Sequence, residues 1–411
     1  MYWLAGLVGL AGLAAWQWSV RSPSVSLDQL VLSPQIVVID PRSINVMGKD
    51  GSFRTEAFKT HFNPTNAALP HIQIFDPSFL SVLGSSPSIN LVASVPGIPF
   101  AHEAPVWHPD TDQVFFSSHC GEDLGWGSCD ENNYISKMEM KEVYTALSGA
   151  SDVTSAVNVS VTALDIPDAR QMTWGATGPY HSNLLLINSG RGELPSSLTL
   201  VNPAPPHNVT VLLDNFYGRP FNSLNDGKIH PKSHKIFFTD VTYGYLKHFR
   251  PLPSMPNQVY RFDPDTGHVR VVTDVLMRPN GLAFSQDGKI AYVGDTGASA
   301  GFLGRNQTNP AAIYEFDVDP KTQVFTNPRI FAFIDTGLPD GIQVDTMGNV
   351  YSSCGDGVHV WNKDGILIGK FFTGTVSCNL VFAGPGKLVI LAQTKVYLAQ
   401  IAAKGTKLAY P

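Results

Sequence analysis

Short apolar and aromatic runs recur along most of the chain, separated by turns rich in Gly, Asp, Asn and Pro, and no helical period links them. The runs come in pairs. Pro105–Trp107, the turn His108–Asp112 and Gln113–Ser117 form one pair, and Asn225–Ile229, a turn at Pro231–His234 and Lys235–Thr239 form another. The pattern returns as Asn280–Phe284 with Lys289–Val293, as Asp340–Val344 with Asn349–Ser352, and more weakly as Asn379–Phe382 with Lys387–Ile390. Between copies lie Gln258–Phe262 and Ala312–Phe316, which read as outer strands of the same unit, and a less regular copy spans Thr173–Asn188. A four-stranded unit repeating every ~40–60 residues without helices predicts an all-β fold, a β-propeller of about six blades. The propeller domain is expected over residues 67–411, with strand-like runs at His71–Phe75 and Ile89–Ala93, and with no internal linker.

The N-terminus breaks the pattern. Leu4–Ala15 is an apolar run of signal-peptide length with no Lys or Arg before it, so residues 1–20 read as a signal peptide or a short membrane anchor. Residues 21–66, built around the single apolar run Gln35–Asp40, read as an extension wrapped on the main domain.

Charge and cysteine usage narrow the function classes. A net charge of −6 without a Lys/Arg cluster disfavours nucleic acid as a partner, and nothing points to a protein partner. Sequons at Asn158, Asn208 and Asn306 suit a secreted, glycosylated chain. The four cysteines fall into two sequence-local pairs, Cys120 with Cys129 and Cys354 with Cys378, expected to close as two disulfides in an oxidising compartment. Neither pair has the CxxC spacing of a zinc site.

Candidate chemistry sits at the start of the paired runs. Glu103, Asn225, Asn280 and Asp340 occupy the same phase of successive repeats, and equivalent inner-strand positions of a propeller converge on its central channel. Two carboxylates and two amides, with no His or Cys at that phase, describe a hard-cation site: Ca²⁺ by preference, with Mg²⁺, Mn²⁺ or Zn²⁺ as alternatives. The competing reading is that Asn-Gly and Asp-Gly recur only as tight-turn chemistry. Asn222, Asp226 and Tyr243 are candidate substrate-pocket residues beside this site, and His102 is a candidate proton shuttle. Trp174, Phe216 and Tyr217 read as packing residues, and the chain has no GxSxG elbow.

The segments His102–Trp107, Asn222–Asp226 with Phe238–Gly244, Pro279–Phe284 and Pro339–Ile342, in this order, resemble those of the gluconolactonases, regucalcin (senescence marker protein) and related calcium-dependent lactonohydrolases. The fungal-type secreted members are the most similar, and the resemblance covers about Phe100 to Ala403. It implies a six-bladed propeller, a divalent cation held by Glu103, Asn225, Asn280 and Asp340, a small lactone as substrate, and Asp340 as general base or nucleophile. Two departures, Glu103-Ala-Pro for the family's Glu-Gly-Pro and Leu224 for a proline, bear on substrate identity more than on metal binding. The expected activity is opening of a lactone ring. An aryl-ester or organophosphate hydrolase, or a non-catalytic calcium-binding propeller, are the alternatives on this scaffold.

Overall fold

The computed structural model describes residues 34–120, 129–408 and 410. The apolar run Leu4–Ala15 lies outside the described residues, and among these no helix is long and apolar enough to cross a membrane. Six antiparallel blades form a β-propeller. Their inner strands are Glu103–His108, Thr173–Tyr180, Leu224–Ile229, Pro279–Phe284, Ile342–Val344 and Asn379–Phe382, in blades one to six.

Blade six closes the ring. Its three inner strands come from the C-terminal end, Asn379–Phe382, Lys387–Ala392 and Lys395–Gln400, while its outer strand is Ser88–Ser94, antiparallel to Lys395–Gln400. Blade five is wider than the others: His71–Ile74 pairs with Leu367–Phe372, and Ile36–Val38 of the extension adds a parallel edge strand. The extension is also fastened where Gly337 N–H donates to Ala57 O at 2.8 Å and Arg54 pairs with Asp335 at 2.8 Å.

Strands that pack face to face with neighbours on both sides lose the usual alternation, and Leu224–Ile229 and Pro279–Phe284 are buried at every position. Aromatic side chains fill the seams between blades. Phe237 of blade three meets Phe284 of blade four with ring centroids 5.0 Å apart and stacks on Phe325 at 5.6 Å.

Asn280-Gly281 and Asp340-Gly341 are not tight turns; they lie at the starts of the inner strands of blades four and five. Register shifts occur at the inner-strand starts in blades one to four, between Glu103 and Val106, Thr173 and Gly175, Leu224 and Gly227, and Pro279 and Leu282. Such bulges re-aim side chains. Glycine permits the close approach of blades: a Cβ on Gly175 would stand 2.3 Å from Asn225 O, and one on Gly281 only 2.0 Å from Asp340 O.

One expected disulfide is present and one is not. Cys120 and Cys129 are bonded with Cα atoms 4.8 Å apart. Cys354 and Cys378 are both buried free thiols. Their backbones do approach, Ser377 N–H donating to Cys354 O at 3.0 Å. The side chains diverge, because Cys354 packs into the seam with Ile313, Ile342 and Trp361, whereas Cys378 accepts from Gln393 Nε2 at 3.1 Å on the channel side.

Two outcomes follow from this packing. Ellman titration of the unreduced chain will find no fast-reacting thiol in the native state and two after denaturation. Gly281→Ala will destabilise the fold by about 1–3 kcal/mol in urea unfolding, because blade five's backbone must move to admit the methyl group.

Candidate functional site

Six positions at or within two residues of the start of the inner strands mark one level of the ring of blades: Glu103, Trp174, Asn225, Asn280, Asp340 and Cys378. The level is fixed by blade-to-blade contacts, Gly175 against Asn225 O, Gly281 against Asp340 O, and Gly341 N–H donating to Cys378 O at 2.9 Å. Four of the six carry oxygen. The structure therefore brings the four predicted metal-ligating residues together, Glu103, Asn225 and Asn280 buried and Asp340 half-buried.

Burial raises the Glu103 carboxyl well above the usual carboxylate range, and the Asp340 charge raises it further. Asp340 is also raised, first by burial, with the Glu103 carboxyl and the Asn280 amide beside its own carboxyl. Two carboxyls so placed, the charge of one raising the other, resist ionising together without a counter-charge between them. Asn379 Nδ2 donates to Glu103 Oε2 at 2.7 Å and fixes that carboxyl from blade six.

Among the described residues, Asn225 Oδ1 and Asp340 Oδ1 are buried and accept no hydrogen bond from any protein group. An unpaired buried acceptor is costly, and two beside a carboxyl pair fit an oxygen-ligated divalent cation. No cluster of three or more His, Cys, Asp or Glu is arranged for a metal among the described residues, which agrees with a donor set that is half amide.

The other predicted site residues surround this group but are engaged with protein partners. Asp226 receives Lys228 Nζ at 3.3 Å, Gly227 N–H at 2.8 Å and Leu282 N–H at 3.2 Å. Asn222 Nδ2 donates to Met255 O at 3.0 Å and Pro256 O at 3.3 Å, which fastens the loop of residues 241–257 at the channel mouth. Tyr243 OH is bonded to Thr296 Oγ1, and burial pushes its phenol up. His102 Nδ1 meets Gln393 Oε1 at 3.0 Å, and its Nε2 lies 4.0 Å from Glu103 Oε1. Burial and the nearby Lys247 charge hold His102 down to about 3, so the ring is neutral at pH 7.

Four residues near the site had escaped the sequence. Asn379 lay at the right phase of the weakest repeat, Cys378 had been assigned to a disulfide, and Trp174 had been assigned to packing. Lys247 carries no sequence signal; its Nζ lies 4.7 Å over the Trp174 ring and 3.3 Å from His119 Nε2. The sequons fall on exposed Asn158, Asn208 and Asn306.

Residues 102–394 match the family described as the SMP-30/Gluconolactonase/LRE-like region. Lactonohydrolase oryL of Aspergillus oryzae is 29% identical over 346 residues, covering 78% of this chain and 71% of the relative. A gluconolactonase of Zymomonas mobilis is 32% identical over 168 residues, 39% of this chain and 44% of that one. Among solved structures, a putative gluconolactonase superposes with a TM-score of 0.62 at 22% identity, covering 82% of this chain and 99% of its own. Regucalcin of Agrobacterium tumefaciens, a calcium-binding protein, superposes with a TM-score of 0.53 at 18% identity, covering 77% and 96%. With the match spanning most of the propeller and the oxygen donors converging in its channel, the chain belongs to the SMP-30/gluconolactonase/LRE-like family.

Proposed function

We propose that the protein is a secreted hydrolase that opens the ring of a small lactone with a divalent cation, Ca²⁺ by preference, in the propeller channel. The observation that carries this reading is the pair of orphaned buried oxygens, Asn225 Oδ1 and Asp340 Oδ1, beside the Glu103–Asp340 carboxyl pair. The names of the relatives, lactonohydrolase and gluconolactonase, support the reaction class. Exposed sequons and the Cys120–Cys129 disulfide support the secretory compartment.

Glu103, Asn225, Asn280 and Asp340 would hold the cation. When bound, it supplies Lewis-acid polarisation of the ester carbonyl. Asp340 has the second task of accepting the proton of the attacking water and returning it to the leaving alkoxide. Asn379 keeps the Glu103 carboxyl turned toward the ring of donors. Asn222, Asp226, Tyr243 and His102 shape the substrate pocket from behind, through the loop and strand ends they fasten.

The purified chain should open lactones from an aldonolactone, aromatic-lactone and long-chain-lactone panel, lose turnover and thermal stability on chelation, and regain both with Ca²⁺. Retention of turnover in a sample shown metal-free by elemental analysis overturns the metal-dependent reading. Asp340→Asn keeps an oxygen of similar reach but removes the proton acceptor, so turnover should fall about 10²- to 10⁴-fold at saturating Ca²⁺. Full recovery at high Ca²⁺ would reduce Asp340 to a ligand alone.

A further inference from the structure

Among the buried polar atoms of the described residues that have no protein partner are Asn225 Oδ1, Asp340 Oδ1 and Trp174 Nε1. The first two are acceptors and suit a cation. The third is a donor only, and no cation can satisfy it.

Trp174 follows the paired Thr173 into the bulge of blade two, as Asn225 follows the paired Leu224 into that of blade three. Its side chain is 4% exposed. The indole packs against Phe249 at 5.3 Å and near His119 at 6.1 Å, with Met172 and Leu246 in the same apolar cluster. If packing were its whole task, phenylalanine would fill this wall without burying an N–H that no protein group accepts. Among the described residues no protein acceptor reaches it: Glu103 Oε2 takes its hydrogen bond from Asn379, and Asp340 Oδ1 is itself without a partner. Lys247 Nζ over the indole face makes the same corner electropositive, which favours an incoming oxygen.

We propose that Trp174 is a substrate-positioning residue whose indole N–H donates to an oxygen of the bound lactone, while its rings and Phe249 form the apolar wall against which the substrate's hydrocarbon face lies. The identity of the acceptor as a lactone oxygen rests on the function proposed above; the donor role of Trp174 does not.

The test uses the Ca²⁺-loaded full chain with its seven tryptophans labelled with ¹⁵N in the indole, the Trp174 signal being the one missing from Trp174→Phe. The probe is δ-valerolactam, an unreactive ring isostere of a lactone with a strong carbonyl acceptor. The Trp174 indole proton should move downfield as the probe is added, with the remaining indole signals stationary. In parallel, Trp174→3-benzothienylalanine, which keeps ring shape and removes the N–H, should lower kcat/KM for lactones about 3- to 10-fold at unchanged Tm. An unmoved resonance, or a wild-type kcat/KM in the isostere, overturns the assignment. If the wild-type chain opens no lactone, the proposed function fails, and the resonance alone then decides for or against Trp174.

Discussion

The Glu103–Asp340 contact is the constraint on which the channel depends. At an effective dielectric of about 20, two full negative charges ~4 Å apart repel by ~4 kcal/mol, and burial raises the cost of each. The fold meets this cost with neighbours that arrive from other blades: the Asn379 amide on Glu103, the Asn280 amide beside Asp340, and the Lys247 ammonium within electrostatic range. Each must stand at the same height in the channel. That height is set by the shared register of the inner strands, by bulges that turn side chains inward, and by glycines that let one blade's backbone touch the next. The aromatic seams supply the rigidity that keeps these contacts in place.

Most of the architecture was legible in the sequence, because a repeated strand–turn–strand pattern carries its own phase. Glu103, Asn225, Asn280 and Asp340 open the paired runs of successive repeats, so the sequence alone groups them. What the sequence hid was side-chain direction. Cys354 and Cys378 lie on adjoining backbone segments, yet one faces a seam and the other the channel, a distinction that spacing along the chain does not encode. Asn222 looked like a pocket residue because it stands beside Asn225, but its amide is committed to Met255 and Pro256. Trp174 sat in the least regular repeat, where a large apolar side chain is read as core by default.

The two faces of the charge problem also separate the site's parts by chemistry. Acceptor oxygens cluster on blades one, three, four and five, whereas blade two offers an indole and blade six a thiol at the corresponding level. The channel is thus not a symmetric ring of ligands. Its asymmetry sets a side rich in oxygen against one where Trp174 packs with Phe249.

The closure of blade six places this site at the end of the folding sequence. Glu103 follows the closing strand Ser88–Ser94 almost at once, but its partner Asn379 lies 276 residues further on, at the seam where the last blade meets the first. A chain emerging from the ribosome can assemble blades one to five in order, yet Glu103 lacks its Asn379 partner until the final strands dock. Any ligand gripping both sides of that seam acts as a clasp, since opening the ring would have to release it first. The tightness of the circle and the occupancy of its centre are therefore one equilibrium seen from two places.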